Sequence, residues 1–366
     1  MGEFRGVAAQ ERALDFVVLA NPASVHTARW VDGLRARGHQ VVLVPNAEPG
    51  SHGLAKLVRW LELALRVRRL ARRRGTVLVV HWIPAGVRAL VLLGIHPRIG
   101  VAWGSDIYLT TRETRRRALR AREQSMFLRG CDAVAAPSEH LVQAVIAAGA
   151  RPERTTCIRF GVDLARFCPG PDPAELRSRL GLVGCRVVLS NRLIAPIYNQ
   201  GTVVEALAQL PQDVVAVMTR YLARPDEVAR LERLAQELGV ADRLRILPEI
   251  ANEDMADLYR LADVVVSIPS SDGGPATVAE ALACGMQVVA CDLPGVRELL
   301  GGVDPEGLVP AGDVDATARA IARALDRPAA VREELSRRAR AAMEELVDRD
   351  RAMAQMEELA RKVSAR

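Results

Sequence analysis

The sequence predicts an α/β protein made of two doubly wound domains, each built on a parallel sheet. Two observations lead to this prediction. The chain has 366 residues, which is too long for one ordinary domain and enough for two that each bury a core. Short apolar runs rich in Val, Ile and Leu also alternate with helical stretches, which is typical of β-α units in a parallel sheet.

The first predicted domain spans 15–165, after an N-terminal extension, 1–14, that lacks an apolar core long enough for a signal peptide. The predicted strands lie near 15–20, 40–44, 77–81, 99–103, 132–136 and 155–159. The predicted helices lie near 24–37, 54–74, 85–93, 112–129 and 138–148. Arginines on one side of these helices and Leu, Val or Ala on the other indicate surface helices packed on a sheet.

Three prolines and two glycines between Gly161 and Pro173 interrupt the pattern, and because they cannot continue a helix or a central strand, we predict a linker at 166–173. A second domain is predicted at 174–328, and charged helices at 329–366 are predicted to pack outside it or to cross back to the first domain. Its predicted strands lie near 186–190, 213–218, 243–247, 263–268, 287–291 and 307–309. Its predicted helices lie near 200–209, 224–238, 253–262, 276–284 and 315–326.

Composition narrows the class of protein without identifying a function. No uninterrupted apolar run approaches the roughly 20 residues that cross a bilayer, so we expect a soluble protein. The six cysteines form no Cys-x-x-Cys pair, which favours the reducing cytoplasm. The net charge of +6 fits a nucleotide, an anionic membrane or a nucleic acid, and net charge alone does not separate these partners.

The most informative segment is 268–285, which runs from the end of a predicted buried strand into a helix. Ligands of open parallel sheets bind beyond the carboxyl ends of the strands, and Asp272 stands at this exit. Gly273 and Gly274 have no Cβ and allow backbone amides to approach a ligand, while Pro275 suits the first helical position. The positive end of the helix would favour a diphosphate.

Glu280 follows one turn into the same helix. Two carboxylates so placed can divide the recognition of hydroxyl groups, since each is a pair of acceptor oxygens. We expect Glu280 to bind a ribose and Asp272 a sugar. Alternatively, Asp272 is a turn residue and Glu280 a solvated helix residue; either residue alone would favour that interpretation, whereas the whole segment favours the ligand site.

The segment resembles the signature of glycosyltransferase family 4, the retaining enzymes of the GT-B fold. In that signature two Glu residues are separated by seven others and followed by Ala-Met-Ala-x-Gly. Here Asp272 and Glu280 have this separation, and Ala-Leu-Ala-Cys-Gly follows. Further similarities lie at Gly161–Phe167, Leu308–Asp313 and Arg37–Val41. The resemblance implies two Rossmann-like domains facing each other across a cleft, and transfer of a sugar from a nucleotide-diphosphate donor.

Arg192 matches the phosphate-binding arginine of that family, and its alternative role is a surface ion pair. The family's Lys-Gly is replaced by Tyr198-Asn199; both side chains could donate to phosphate, and Arg220 is our candidate for the missing cation. The nucleotide base is expected near Leu247-Pro248. The predicted catalytic residues are Asp272, Arg192 and Glu280, and the predicted donor site comprises Arg192, Tyr198, Asn199, Arg220, Leu247, Pro248, Gly273, Gly274, Ala276, Thr277 and Glu280.

On the acceptor side, His26 opens a helix of the first domain, and Trp103, Ser105 and Asp106 follow its fourth strand. The alternatives are a helix cap or packing residue for His26 and a core cover for Trp103. No Asp-x-Asp pair stands at a predicted strand end, so we expect no metal and no cofactor beyond a UDP-, GDP- or other nucleotide-sugar donor.

Two basic segments raise the question of a membrane partner. In 54–74, Leu54, Leu57, Val58, Leu61 and Leu65 form one helical stripe and Arg59, Arg66, Arg69 and Arg73 another, and 112–122 is also rich in arginine. These helices could contact an anionic membrane at the inner face; the pattern favours the alternative of core-facing leucines and solvated arginines. We expect no nucleic acid partner. Rival functions are an epimerase or phosphorylase of the same fold, or a degenerate non-catalytic binding protein.

Overall fold

The computed structural model describes residues 13–46, 53–72, 75–83, 88–108, 115–220 and 223–365. The chain divides into two compact units. The first contains Met1–Ala135, Ala144–Thr156 and Met353–Arg366, and the second contains Ala136–Gln143 and Cys157–Ala352. Most of the predicted extension, 1–12, lies outside the described residues. Within the described ranges, no helix is both long and apolar enough to cross a membrane.

The first sheet has six strands in the order β2-β1-β3-β4-β5-β6, and the pairings from β2 through β5 are parallel. Its strands are β1 Asp15–Ala20, β2 Gln40–Pro45, β3 Thr76–His81, β4 Arg98–Val101, β5 Ala133–Ala136 and β6 Thr155–Cys157. The helices that alternate with them are α1 Val25–Ala36, α2 Gly53–Ala71, α3 Arg88–Leu92, α4 Ser105–Tyr108, α5 Arg115–Gly130 and α6 Glu139–Ala147.

The second sheet also has six strands, in the order β12-β11-β10-β7-β8-β9, with parallel pairings throughout. Its strands are β7 Arg186–Ser190, β8 Val214–Thr219, β9 Leu244–Leu247, β10 Val264–Ser267, β11 Gln287–Cys291 and β12 Leu308–Val309. The remaining helices are α7 Ala174–Arg179, α8 Gln200–Leu207, α9 Pro225–Glu237, α10 Met255–Leu261, α11 Ala276–Ala283, α12 Pro294–Leu300, α13 Val314–Leu325, α14 Ala329–Leu346 and α15 Arg349–Ser364.

Both faces of the second sheet are covered, as β8 illustrates. Val215 and Val217 belong to one buried hydrophobic cluster, while Ala216 and Met218 belong to another. Successive side chains of a strand point to opposite faces, so the two clusters are the two helix-covered sides of one sheet. The prediction of two doubly wound α/β domains is confirmed.

The segment predicted as a linker, 166–173, is packed into the second unit instead. Phe167 is fully buried, and its ring centroid lies 5.9 Å from that of Tyr259. The irregular backbone is satisfied by Arg260, whose Nε donates to the carbonyl of Cys168 and whose Nη2 donates to the carbonyl of Arg166, both at 3.0 Å. Prolines and glycines therefore mark irregular backbone here without marking a connection between units.

The outward face of α2 also differs from the favoured expectation. Val58, Leu61 and Leu65 are 47%, 52% and 45% exposed, whereas the smaller Ala64 and Val67 are fully buried. Val58, Leu61 and Leu65 of this stripe therefore face solvent, and helix α2 packs through Ala64 and Val67. Residues 73 and 112–114, with the side chains of Leu54, Leu57 and Arg59, lie outside what the structure describes, and α4, α7 and α12 are helices that the sequence analysis did not predict.

Candidate functional site

The predicted donor residues follow neighbouring parallel strands of the second sheet. Arg192 comes after β7, Arg220 after β8 and Asp272 after β10, and β7 pairs with both β8 and β10. Exits of parallel strands lie at one edge of the sheet. The sheet order therefore places these side chains along the same edge.

Helix α11 begins at this edge without a side-chain cap. Pro275 is its N-cap, with φ −75° and ψ 92°, and no side chain hydrogen-bonds to the cap; the sequence had placed this proline one position later, inside the helix. Its carbonyl accepts from the amide of Ala279 at 3.1 Å. The first amides of a helix have no acceptor within the helix. The start of α11, at Ala276 and Thr277, is thus a place where an anion can accept hydrogen bonds.

Arg192 and Asp272 form an ion pair beside that helix start. Arg192 Nη2 lies 2.8 Å from Asp272 Oδ2, and the side chains are 12% and 10% exposed. Burial opposes the charge of Arg192, but the carboxylate of Asp272 and the nearby Tyr198 outweigh it, so the pKa of the guanidinium is raised. The predicted phosphate-binding cation and the predicted sugar-binding carboxylate are in direct contact.

Tyr198 and Asn199 occupy the positions at which the family that this sequence resembles has Lys and Gly. The guanidinium carbon of Arg192 lies 4.6 Å from the centre of the Tyr198 ring, a cation–π contact. Asn199 has the left-handed conformation, φ 49° and ψ 37°, which Asn tolerates better than other non-glycine residues. Its Nδ2 donates to the carbonyl of Ile268 and to Ser270 Oγ, both at 3.0 Å. Both amide hydrogens are thereby used, which favours a loop-fixing role over the expected phosphate contact.

Glu280 is buried, with 5% exposure, and is held by two residues that the sequence analysis did not select. The hydroxyl of Tyr259 donates to Glu280 Oε2 at 2.8 Å, and Asn191 Nδ2 donates to the Tyr259 hydroxyl at 2.9 Å. Burial and the adjacent Glu280 carboxylate raise the pKa of Tyr259 well above its ordinary value, so the phenol stays a donor. The alternative of a solvated Glu280 is wrong.

Gln200 fixes the backbone that carries Arg192. Its Nε2 donates to the carbonyl of Arg192 at 3.0 Å, and its Oε1 accepts from Ser190 Oγ at 2.6 Å. The Gln200 side chain is buried at the start of α8. The signal for this role in the sequence was a polar residue at the start of the helix.

The two glycines differ from each other. The amide of Gly274 donates to Asp272 Oδ1 at 3.1 Å, so it serves the loop, contrary to the expectation that both amides face a ligand. A Cβ on Gly274 would lie 2.8 Å from side-chain atoms of Pro137, which excludes a larger residue. The carbonyl of Gly273 accepts from Ser138 Oγ at 2.7 Å.

Arg220 and Leu247-Pro248 follow β8 and β9, which lie on the side of β7 away from β10. The side chain of Arg220 is half exposed, and its Nη2 lies 3.3 Å from Glu232 Oε1. Leu247 is buried at the end of β9, and Pro248 is exposed. Within the described residues, the ion-pair partner of Arg220 is Glu232, and its role as a substitute cation stays a prediction.

In the first unit, the predicted acceptor residues His26 and Trp103 belong to a cluster of rings. Their ring centroids lie 5.3 Å apart, and Trp103 also contacts His81 at 5.7 Å. His81 in turn lies 5.4 Å from Trp30. Burial, with a smaller contribution from His26, lowers the pKa of His81 to about 3. His81 is therefore a neutral, buried ring, and Trp30 and Trp103 pack against it, with His26 against Trp103.

Asp106 and Ser105 have structural partners in the same unit. Asp106 is fully buried; its oxygens accept from the amides of Ile83, Trp103 and Gly104 at 2.9, 3.0 and 2.9 Å. Ser105 Oγ accepts from Trp82 Nε1 at 3.0 Å. Three hydrogen bonds from backbone amides to this buried carboxylate favour a role for Asp106 in fixing the loop over direct contact with an acceptor.

The described residues contain no group of three or more His, Cys, Asp and Glu side chains arranged to hold a metal ion.

Two family models match this chain. The model "Glycosyltransferase Family 4" matches residues 23–166, and the model "Glycosyl transferases group 1" matches residues 182–342. The chain belongs to glycosyltransferase family 4. His26 and Trp103 fall within the first matched range, and Arg192, Asp272 and Glu280 fall within the second, so both candidate clusters of this family member lie in matched sequence.

Relatives and solved structures agree with this assignment. A D-inositol 3-phosphate glycosyltransferase of Geodermatophilus obscurus is 40% identical over 47% of this chain and 41% of its own length. D-inositol 3-phosphate glycosyltransferase 2 of Catenulispora acidiphila is 29% identical over 77% of this chain and 64% of its own length. The matches thus span about half of those relatives.

Solved structures resemble the whole chain in fold. HepE from Anabaena, in complex with UDP and glucose, is 21% identical with a TM-score of 0.76, covering 94% of this chain and 98% of its own. Sucrose-phosphate synthase from Thermosynechococcus elongatus is 21% identical with a TM-score of 0.79, covering 97% and 100%. This likeness confirms the predicted GT-B fold class for this family member.

Proposed function

We propose that the chain transfers a sugar from a nucleotide-diphosphate donor to an acceptor hydroxyl, with retention of anomeric configuration. One observation carries the proposal: the uncapped start of α11 stands beside the buried Arg192 and Asp272 pair. Helix amides and a guanidinium together suit the charge of a diphosphate. HepE, which shares the fold, has been solved with UDP and with UDP-glucose, which supports the same class of donor here.

The roles of the side chains follow from this arrangement. Arg192 and the amides at Ala276 and Thr277 would hold the diphosphate and stabilise the charge that develops as it leaves. Glu280, held by the Tyr259 hydroxyl, would accept from the ribose, and Asp272 from the transferred sugar. The base would lie near Leu247-Pro248. Charge is then balanced by protein groups, and we propose that no metal is required; activity unchanged by EDTA is the expected result.

Calorimetric titration with UDP, GDP, ADP and dTDP tests the donor site directly. We expect one of these to bind wild type and to bind Arg192→Ala far more weakly. Donor hydrolysis is then compared in wild type, Glu280→Ala and the exposed control Glu237→Ala, with loss expected only in Glu280→Ala. Failure of all four nucleotides to bind would contradict the proposal.

The ring stacked on Arg192 supports one rival, a degenerate binding protein. Tyr198 stands where the resembling family has a lysine, so one cation for the leaving group is missing. A protein that binds the donor with normal affinity, but neither transfers nor hydrolyses it, would favour this rival. Product analysis with and without acceptor separates transfer from an epimerase or phosphorylase reaction.

We also propose that the first unit contacts an anionic membrane from the cytoplasmic side. The exposed Val58, Leu61 and Leu65 of α2 are followed by Arg66, Arg69 and Arg72, also exposed. Leu92 on α3 and Leu119 on α5 are 71% and 56% exposed, and α3 contacts both α2 and α5. Apolar side chains beside arginines suit the interface of an anionic bilayer.

Co-sedimentation tests this surface. Wild type is expected to pellet with phosphatidylglycerol vesicles at low salt, and to remain in solution with phosphatidylcholine vesicles or at high salt. Leu61→Glu with Leu65→Glu should abolish pelleting, whereas Leu238→Glu, an exposed leucine of the second unit, should not. Wild type that stays in the supernatant at low salt contradicts the proposal, as does a leucine variant that alters only the oligomeric state.

A further inference from the structure

Arg192 and Asp272 neutralise each other at the place where the proposed function needs both for the donor. The diphosphate requires the guanidinium, and the transferred sugar requires the carboxylate. Yet Nη2 of one lies 2.8 Å from Oδ2 of the other, with both side chains nearly buried. If a nucleotide sugar binds here as proposed, Arg192 and Asp272 must change partners whenever the donor enters. This inference therefore rests on the proposed function.

The two oxygens of Asp272 are held differently. Oδ1 accepts from the amide of Gly274 at 3.1 Å, which fixes the carboxylate on the loop. Oδ2 is buried without an aligned hydrogen bond, although the guanidinium is close. A buried carboxylate oxygen without a hydrogen bond is unfavourable. Oδ2 is therefore suited to accept a hydroxyl group when one is offered.

The guanidinium of Arg192 is placed to exchange partners without moving far. Tyr198 covers one face of it at 4.6 Å, and Gln200 fixes its backbone carbonyl at 3.0 Å. Arginine carries five N–H donors, so contact with one carboxylate oxygen leaves others for phosphate. The Tyr198 ring and the Gln200 side chain hold Arg192 at the edge of the sheet while its anionic partner changes.

A diphosphate at the start of α11 would lie close to the Asp272 carboxylate, because only residues 273–275 separate Asp272 from the helix. Like charges at this distance disfavour each other unless a cation or a hydrogen-bond donor intervenes. A nucleoside diphosphate alone supplies no such donor to Asp272. A nucleotide sugar supplies the hydroxyl groups of the sugar.

We infer that the diphosphate and the Asp272 carboxylate compete for the Arg192 guanidinium. Donor binding draws Arg192 to the phosphates and frees Asp272 for the sugar hydroxyls. Once the sugar has been transferred, Asp272 has lost those hydroxyl groups and takes Arg192 back, which weakens the hold on the nucleoside diphosphate. The pair thus makes the site prefer nucleotide sugar over nucleoside diphosphate and promotes product release.

Asp272→Asn separates the two parts of this competition, because the amide neither pairs with Arg192 as a charge nor repels phosphate. Titration with UDP and UDP-glucose, and with GDP and GDP-mannose, should show the variant binding the nucleoside diphosphate roughly fivefold to tenfold more tightly than wild type, a typical size for such coupling. The preference for nucleotide sugar should disappear. The control Asp257→Asn, whose carboxylate pairs with Arg260 at 2.8 Å, should leave both affinities unchanged.

Thermal unfolding gives a second readout that does not depend on turnover. Without its carboxylate partner, the buried Arg192 should lower the melting temperature of free Asp272→Asn, and the nucleoside diphosphate should raise it more than it raises that of wild type. Asp272→Ser serves the same test if the asparagine variant does not fold. If a folded Asp272 variant binds the nucleoside diphosphate no more tightly than wild type does, the competition is overturned, while the proposed function is not. Wild type that binds none of UDP, GDP, ADP and dTDP overturns the proposed function as well.

Discussion

In the second unit, charged side chains at the ends of β7 and β10 are paired with each other, as Arg192 is with Asp272. In the first unit, the ends of β3 and β4 carry aromatic rings, and the nearby carboxylate of Asp106 is used by three backbone amides. The same architecture thus carries a buried ion pair on one sheet and a cluster of rings around the buried, neutral His81 on the other. Ligand charge should matter at the first of these places and ligand shape at the second.

The two units should respond to different kinds of substitution. A buried ion pair can be rearranged by an anion, since both partners keep strong interactions in either state. A ring cluster around His81, whose pKa is about 3, offers packing, and His81 itself supplies no cation. Substitutions in the second unit should therefore alter the binding of a charged donor, and substitutions in the first unit should alter stability or the fit of an uncharged part of the acceptor.

The largest expected effect is that of Arg192→Ala. Loss of one preorganised donor to a developing anion lowers turnover by about 10²–10³-fold, and we expect kcat/KM for sugar transfer to fall by this amount. Arg220→Ala is the matched variant: its half-exposed side chain pairs with Glu232, so its loss should change kcat/KM less than about threefold. Steady-state kinetics with saturating acceptor provide both values.

An equal loss of kcat/KM in Arg220→Ala would contradict this expected difference between Arg192 and Arg220. It would mean that Arg220 supplies the cation missing at Tyr198, as the sequence analysis suggested. The electrostatic corner would then extend from β7 to β8. Unchanged kinetics in Arg192→Ala would contradict the placement of the diphosphate at α11.

The sequence was sufficient for the strands and most helices because buried parallel strands are continuous apolar runs between helical stretches. Chain order also placed Asp272 and the start of α11 directly after a strand, and the resemblance to the family selected Arg192 at the end of another. Tyr259 could not be found in this way. It lies in an apolar helical pattern, and only the packing of α10 on α11 brings its hydroxyl to Glu280.

Two expectations failed for physical reasons that the pattern hides. The outward face of α2 carries the larger leucines while Ala64 and Val67 are buried, because close packing of a helix can favour small side chains. The segment around Phe167 resembles a linker in composition but is fixed by arginines from distant helices. Both outcomes depend on contacts between residues far apart in the chain.

The next expected effect concerns His81 and the stability of the first unit. Its pKa is lowered from 6.5 to about 3, so the unfolded chain binds a proton below pH 6.5 that the folded protein does not. The contribution of neutral His81 to the free energy of unfolding is then present above pH 6.5 and is lost as the pH decreases towards 3. Between pH 6.5 and 5 this linkage amounts to roughly 1.6 kcal/mol.

Urea unfolding at pH 6.5 and pH 5 measures this loss. His81→Phe should lose less stability across the interval than wild type, by about the amount given, whereas the exposed His140→Phe should behave as wild type. The acidic group Glu357, whose pKa is lowered to about 2, loses its contribution only at lower pH. A His81→Phe variant with the pH dependence of wild type would show that His81 is not held neutral by burial.

The smallest expected effect is that of Trp103→Phe in the ring cluster. The change keeps an aromatic surface beside His26 and His81 but reduces its area, and aromatic contacts of this kind contribute about 0.5–1.5 kcal/mol. We expect KM for the acceptor to rise about threefold, with the affinity for the donor nucleotide unchanged. Leu238→Ala, at an exposed leucine of the second unit, is the control, and its acceptor KM should not change. If Trp103→Phe weakens the nucleotide instead, the ring cluster serves the charged ligand, and the division between the two units does not hold.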